Sequence, residues 1–342
     1  MSTRLPSTSQ QPVAAPQTQT VFGAILAKIE SSDVIAKYGT VLAAVLVFVV
    51  FSLSTNRFLS VDNVSIVLIQ ISVLMVVSSG LTVALASGEF DLSIGQVASL
   101  AGVLVAGLMV WSNLSAPIAI LLTICVGIAI GFVNGVLVTW LRVPSMIATL
   151  AMGPIALGLN YAYTNGDSIY ARMPESFYLI SSGKIFGFIP APIAIAIVVA
   201  LVFYILLNKT RLGRGIVATG SNIHAARLSG IRVDWSRIIA MVLSGLGAAM
   251  GGIMLTARLG SGQSGAGDTY LMDSMAAVFL GMTAFKPGRA TIPGTVVGVV
   301  IIGMLDNGLN LLGAPFYMQN EVRGVVMILA VSLAVLRAEI CF

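Results

Sequence analysis

Residues 80–107 read GLTVALASGEFDLSIGQVASLAGVLVAG, and this stretch decides the class of fold. An apolar run stops at a polar knot, Glu89-Phe90-Asp91-Leu92-Ser93, and a second apolar run starts at once. A carboxylate at the centre of a bilayer costs about 2.5–3.5 kcal/mol. Two carboxylates this close would not face lipid, so the knot lies at a membrane surface or inside protein. Ser93 followed by Gln96 has the spacing of a capping box, which predicts a new helix from Ile94. Asp91 would then lie near the positive end of that helix. Gly88 and Gly95 bracket the knot and permit a tight turn. The stretch reads as helix, polar turn, capped helix.

Composition places that motif in a membrane. Of 342 residues, 57% are apolar and only 9% charged, where a soluble domain carries roughly 25% charged residues. The long apolar segments exclude a transmembrane barrel, whose strands run about 9–11 residues. The expected fold is an all-α polytopic membrane protein. Cys125 and Cys341 lie too far apart in character to suggest a disulfide. The net charge of +5 reads as basic cytoplasmic loops, and nucleic acid is not an expected partner.

Hydropathy gives about 10 candidate spans, with 8 as the lower bound: 38–54, 64–87, 95–111, 117–140, 145–164, 190–207, 238–257, a short 274–285, 291–312 and 320–336. The eighth is too short for an ordinary span of about 20 residues, so it reads either as a broken or re-entrant helix or as no span, leaving nine. Residues 1–37 form an expected cytoplasmic tail, largely disordered, with a short surface helix over 22–37. The membrane domain is expected over 38–337, and 338–342 is a short C-terminal tail. With the N-terminus inside, thirteen Lys and Arg fall in cytoplasmic segments and four outside, leaving Arg323 in the tenth span. The positive-inside rule then puts both termini in the cytoplasm. Gly127, Gly131 and Gly135, and likewise Gly247 and Gly251 with Gly245 and Ala249, are small residues spaced for close helix contact.

The largest polar feature is the cytoplasmic loop 208–237, NKTRLGRGIVATGSNIHAARLSGIRVDWSR. Asn222 is placed to cap a short helix from Ile223, and Gly230 to end it. Such a helix, held between two spans and flanked by Arg227 and Arg232, reads as a docking element. Four motifs then occur in order: GEFDLSIG at 88–95, GRGIVATGSNIHAARLSGIRVD at 213–234, LGMTAFKPGRATIPGTVVG at 280–298 and NGLNLLG at 307–313. Together they resemble the permease subunits of bacterial ABC sugar importers, the ribose, xylose, galactose and arabinose permease family, over about residues 40–337.

The resemblance implies a multi-pass subunit of the bacterial inner membrane, pairing with a second permease as a homodimer or heterodimer. It implies an ABC ATPase docked on the cytoplasmic loop and a periplasmic binding protein that delivers a monosaccharide. Gly88, Asp91, Ser93 and Gly95 form the signature turn, and Gly220, Asn222, Ala226, Arg227 and Gly230 the coupling segment. The sequence agrees that the motor is elsewhere, because it has no GxxxxGK[ST] phosphate loop. No cofactor or metal is expected: the sole histidine, His224, lies in the cytoplasmic loop and no ligand cluster is visible.

Polar residues inside apolar runs are the candidate pathway: Asn134, Asn160, Asp306, Asn307 and Asn310. Such groups face a bundle interior or a wet cavity, and they suit hydroxyl-rich ligands or interhelical hydrogen bonds alike. The outside loop 165–189, with Tyr170, Arg172, Glu175, Phe177 and Tyr178, is a candidate docking surface for the binding protein. The competing class is a stand-alone secondary transporter or channel. Glu89 receives no role from any of these patterns.

Overall fold

A computed structural model describes residues 33–340 apart from Ala171, Lys286 and Pro287. The expected tail and surface helix lie mostly outside the described residues, as do Cys341 and Phe342. By contact the chain divides between Gly39 and Thr40. The packing below lies within the second unit.

The described residues are mostly helical. The helices are α1 (Asp33–Ser54), α2 (Val61–Ala86), α3 (Ile94–Val110), α4 (Ala116–Thr139), α5 (Ser145–Thr164) and α6 (Glu175–Ser182). After a two-stranded hairpin, β1 (Lys184–Ile185) and β2 (Ile189–Pro190), come α7 (Ala191–Lys209), α8 (Arg211–Ser221) and α9 (Ile223–Leu228). The last four are α10 (Val233–Leu259), α11 (Thr269–Ala284), α12 (Ile292–Leu311) and α13 (Phe316–Ile340). Each of the ten apolar segments read from the sequence falls on a helix. Among the described residues, α2, α4, α5, α7, α10 and α12 are long and apolar enough to cross a membrane, and α3 is a shorter apolar helix. The fold is that of an all-α polytopic membrane protein.

Two helices form the axis. In both α2 and α10, 72% of the most apolar window is buried, against 33% in α4, so α4 lies at the periphery. Lipid supplies no hydrophobic drive between helices, so close backbone approach at small residues has to hold them. Here the two glycine rows meet. A Cβ on Gly131 would strike the Met241 carbonyl, one on Gly135 would lie 2.8 Å from Ile238 Cα, and one on Gly245 would strike the Gly127 carbonyl. On other faces of α10, Gly247 meets Gly80 of α2 and Gly252 meets Ala98 of α3. One small-residue helix thus packs against α2, α3 and α4 together. A second seam joins α11 to α12, where Gly281 faces Gly294 and Gly298 faces Ala277.

The expected capping box at α3 is not formed. Helix α3 does start at Ile94, but Ser93 has φ −87° and ψ −9°, already helical, and makes no side-chain cap. A capping side chain needs an extended backbone at its own residue. Ser93 instead turns its hydroxyl to Asp91, as described next.

Candidate functional site

The polar turn is densely hydrogen-bonded. Asp91 is 2% exposed, yet both of its oxygens are occupied. Its Oδ1 accepts from the Ser93 amide at 3.0 Å and the Ser93 hydroxyl at 2.6 Å, and its Oδ2 accepts from Ser244 Oγ of α10 at 2.7 Å. Asn134 of α4 donates its Nδ2 to Ser93 Oγ at 3.1 Å. The turn backbone is held by α5: Phe90 N–H donates to Ser145 Oγ at 3.2 Å and Leu92 N–H to Thr149 Oγ1 at 3.0 Å. A non-helical backbone buried among helices must find such partners. Gly88 has φ +84°, the left-handed conformation that reverses the chain after α2.

The turn reaches well inside the bundle. Glu89 forms an ion pair with Arg237, the fifth residue of α10, while Asp91 binds Ser244, seven residues further on. At 1.5 Å per residue the chain climbs about 10 Å along α10 between these anchors. Helix α3 therefore begins roughly 16 Å from the start of α10, and its 17 residues need not span a bilayer. Gly95 packs against another irregular stretch, since a Cβ there would lie 3.0 Å from the Gly267 carbonyl. Ser99 of α3 fixes that stretch, donating to Asp268 Oδ1 at 3.0 Å and accepting from Gly267 N–H at 2.8 Å.

The loop 208–237 is joined to this turn. Between the end of α7 and the start of α10 it contains α8 and α9, separated by the single residue Asn222. Asn222 Oδ1 accepts from Ala225 N–H at 2.9 Å, capping α9, and Gly230 with φ +78° follows the helix. Ala226 is buried while Arg227 and Leu228 project outward, Leu228 at 91% exposure. Gly220, at the end of α8, sits on the end of α2: a Cβ there would strike the Ala86 carbonyl and lie 2.9 Å from Gly88 N. The two sequence-predicted groups, the turn and the loop, therefore meet backbone to backbone at Gly88 and Gly220. The ion pair of Glu89 and Arg237 is a second tie, because Arg237 lies in the first turns of α10, the helix that follows α9.

The polar residues named as pathway candidates belong to separate hydrogen-bonded groups. Asn134 holds the turn. Asn307 of α12 exchanges two 2.9 Å hydrogen bonds with Asn63 of α2. Asn310 Oδ1 accepts from Gln319 Nε2 at 3.3 Å at an exposed helix end. Asn160 Oδ1 accepts from Ser264 Oγ at 2.8 Å. Asp306 is paired with Arg323 of α13, whose Nε–H donates to Asp306 Oδ1 at 3.0 Å and whose Nη2 lies 2.9 Å from Oδ2. Asp273 of α11 lies 3.1 Å from the same Nε. Sequence reasoning overlooked Asp273 because it falls one residue before the expected span at 274. The signal was Arg323 itself, a guanidinium inside an apolar helix, which requires acidic partners.

In the loop 165–189, Phe177 is fully buried and belongs to the core rather than to a docking face. Arg172 and Glu175 form an exposed ion pair at 2.8 Å, of a kind worth about 0–1 kcal/mol. The exposed aromatic groups are Tyr170 and, on the hairpin, Phe186 and Phe188.

Comparison with known proteins follows the same lines. A profile of the family described as "Branched-chain amino acid transport system / permease component" matches residues 63–331. The chain is 40% identical over 290 residues to the ribose import permease protein RbsC of Escherichia coli (strain K12), covering 84% of this chain and 89% of that protein. It is 36% identical over 307 residues to RbsC of Bacillus subtilis (strain 168), with 90% and 95% covered. To the D-allose transport system permease protein AlsC of Escherichia coli (strain K12) it is 33% identical over 298 residues, with 87% and 91% covered. No solved structure matches the chain.

Proposed function

We propose that this chain, which belongs to the transport-system permease family matched over residues 63–331, is the membrane-spanning subunit of an ATP-driven importer for a monosaccharide. The family description covers amino acid transport, so the sugar assignment is carried by the relatives, which are named for ribose and allose. D-Ribose is the first candidate and D-allose the second. ATP hydrolysis then belongs to a separate ABC ATPase, a reading supported by the lack of a phosphate-loop motif in the sequence.

One structural observation supports a coupling role for the loop: Gly220 lies directly against the end of α2 and the Gly88 turn. A push on α9 has a rigid route into the bundle through that contact and through the pair of Arg237 with Glu89. Arg227 lies on the face of α9 offered to the ATPase, while Asn222 and Gly230 set the ends of that helix and the buried Ala226 seats it. Gly88, Asp91, Ser93 and Gly95 hold the break between α2 and α3 near the path. The loop is then cytoplasmic, both termini are cytoplasmic, and about 10 helices enter the inner membrane. Tyr170, Phe186 and Phe188 lie on the outer side, where a periplasmic sugar-binding protein docks. The path runs between two permease subunits, and Asn134, Asp306, Asn307 and Asn310 are assigned to the helices that shape it.

The test is uptake of labelled D-ribose, D-allose and L-leucine by cells producing the chain with its cognate ATPase and binding protein. Saturable, ATP-dependent sugar uptake with no leucine uptake is expected. Leucine uptake alone would sink the sugar assignment. Uptake into proteoliposomes by the purified chain, with no ATPase present, would establish the competing class, a secondary transporter or channel.

A further inference from the structure

The charged cluster on α11, α12 and α13 borders a cavity. Its wall is made by Gln70 of α2, Arg258 at the end of α10, Thr269, Tyr270 and Asp273 of α11, and the pair of Asp306 with Arg323. The volume is about 100 Å³. Gly303 keeps the α12 wall flat, since a Cβ there would strike Ile71 of α2.

The hydrogen bonding of the cluster is incomplete on one side. Arg323 Nε carries a single hydrogen, and Asp306 accepts it. Asp273 is 6% exposed and lies within ion-pair distance of that nitrogen, but its Oδ1 receives no hydrogen bond. A buried carboxylate oxygen without a donor is costly. That oxygen is itself covered, and the rest of the Asp273 side chain lines the cavity.

We infer that the cavity beside Asp273 is a subsite that takes one hydroxyl-bearing edge of the transported sugar. Asp273 accepts from a sugar hydroxyl, and Gln70 and Arg258 supply donors from the opposite walls. The two carboxylates are balanced by Arg258 and Arg323, so the site favours a neutral polyol over an ion. The size sets the limit: a dry cavity of about 150 Å³ holds benzene, so this smaller space fits part of a sugar ring. The rest of the ring would lie outside it. Ion pairing with Arg323 still serves the fold, by holding α13 against α11 and α12. The subsite rests on the sugar-import reading above.

Cysteine protection tests it on the full chain, with Cys125→Ser and Cys341→Ser removing the native thiols. Gln70→Cys, or Thr269→Cys if the first variant is poorly produced, is reacted in proteoliposomes with a small methanethiosulfonate reagent. D-Ribose or D-allose, whichever the unmodified chain imports, is expected to slow the reaction about threefold at a concentration twice its Kd, since the unoccupied fraction falls as 1/(1 + [L]/Kd). L-Leucine should not slow it. Adding Asp273→Asn should leave the sugar-free rate unchanged and abolish the protection. Import by the unmodified chain with no protection of either cysteine, or with neither reactive, overturns the subsite and leaves the importer reading standing. Protection that survives Asp273→Asn overturns the role of Asp273. Import of neither sugar removes the importer reading, and the subsite with it.

Discussion

At the scale of single residues, Glu89 changes most between sequence and structure. Among the motifs it has no role, and within the fold it is the buried half of an ion pair that ties the turn to α10. Its side chain is 7% exposed and that of Arg237 is 21% exposed. Removing one partner of a buried pair leaves an uncompensated charge, at a cost of about 3–5 kcal/mol. Arg237→Ala should therefore lower the thermal midpoint of the detergent-solubilised protein well below that of the double variant Glu89→Gln, Arg237→Gln. Equal midpoints would show that the pair is not buried as described. Ser93 teaches the complementary lesson. Its spacing to Gln96 satisfies the pattern of a capping box, but a pattern does not fix the backbone angle on which capping depends. Its hydroxyl donates to Asp91 and accepts from Asn134 instead.

At the scale of elements, the seam between α4 and α10 was legible as two rows of small residues, though not as a pair. Either row could have faced any neighbour. The prediction here contrasts two glycines within neighbouring helices. Gly131→Ala pushes a methyl group into the Met241 carbonyl and the Val242 backbone. It should force α4 away from α10 and lower the thermal midpoint. Gly158→Ala on α5 meets nothing within 4 Å, and should be neutral or stabilise by up to about 1 kcal/mol through helix propensity. A lower midpoint for Gly158→Ala than for Gly131→Ala would contradict the packing. The short helix α9 was the most legible element of all. Asn222 caps it and a left-handed Gly230 follows it, because both are local devices that act within four residues.

At the scale of the whole molecule, the distribution of basic residues predicts a sidedness that single-cysteine labelling can read. In a chain carrying Cys125→Ser and Cys341→Ser, Arg172→Cys should react with an impermeant maleimide on intact spheroplasts. Arg227→Cys should react only after the membrane is opened. The reverse pattern would invert the orientation and move the proposed ATPase dock to the wrong side. The sequence by itself determined the class of fold, the positions of ten helical segments, the polar turn and the short capped helix. Hydropathy, small-residue spacing and capping act over a few residues, so they are written locally. Only the tertiary structure decided that Glu89 meets Arg237, that Asn307 meets Asn63, and that Asp273 shares Arg323 with Asp306. Those partners lie between 17 and 244 positions apart along the chain. In an apolar interior each polar group must take whatever partner the packing brings within reach. That choice is set by which helices touch, a property of the assembled bundle that no local run of residues encodes.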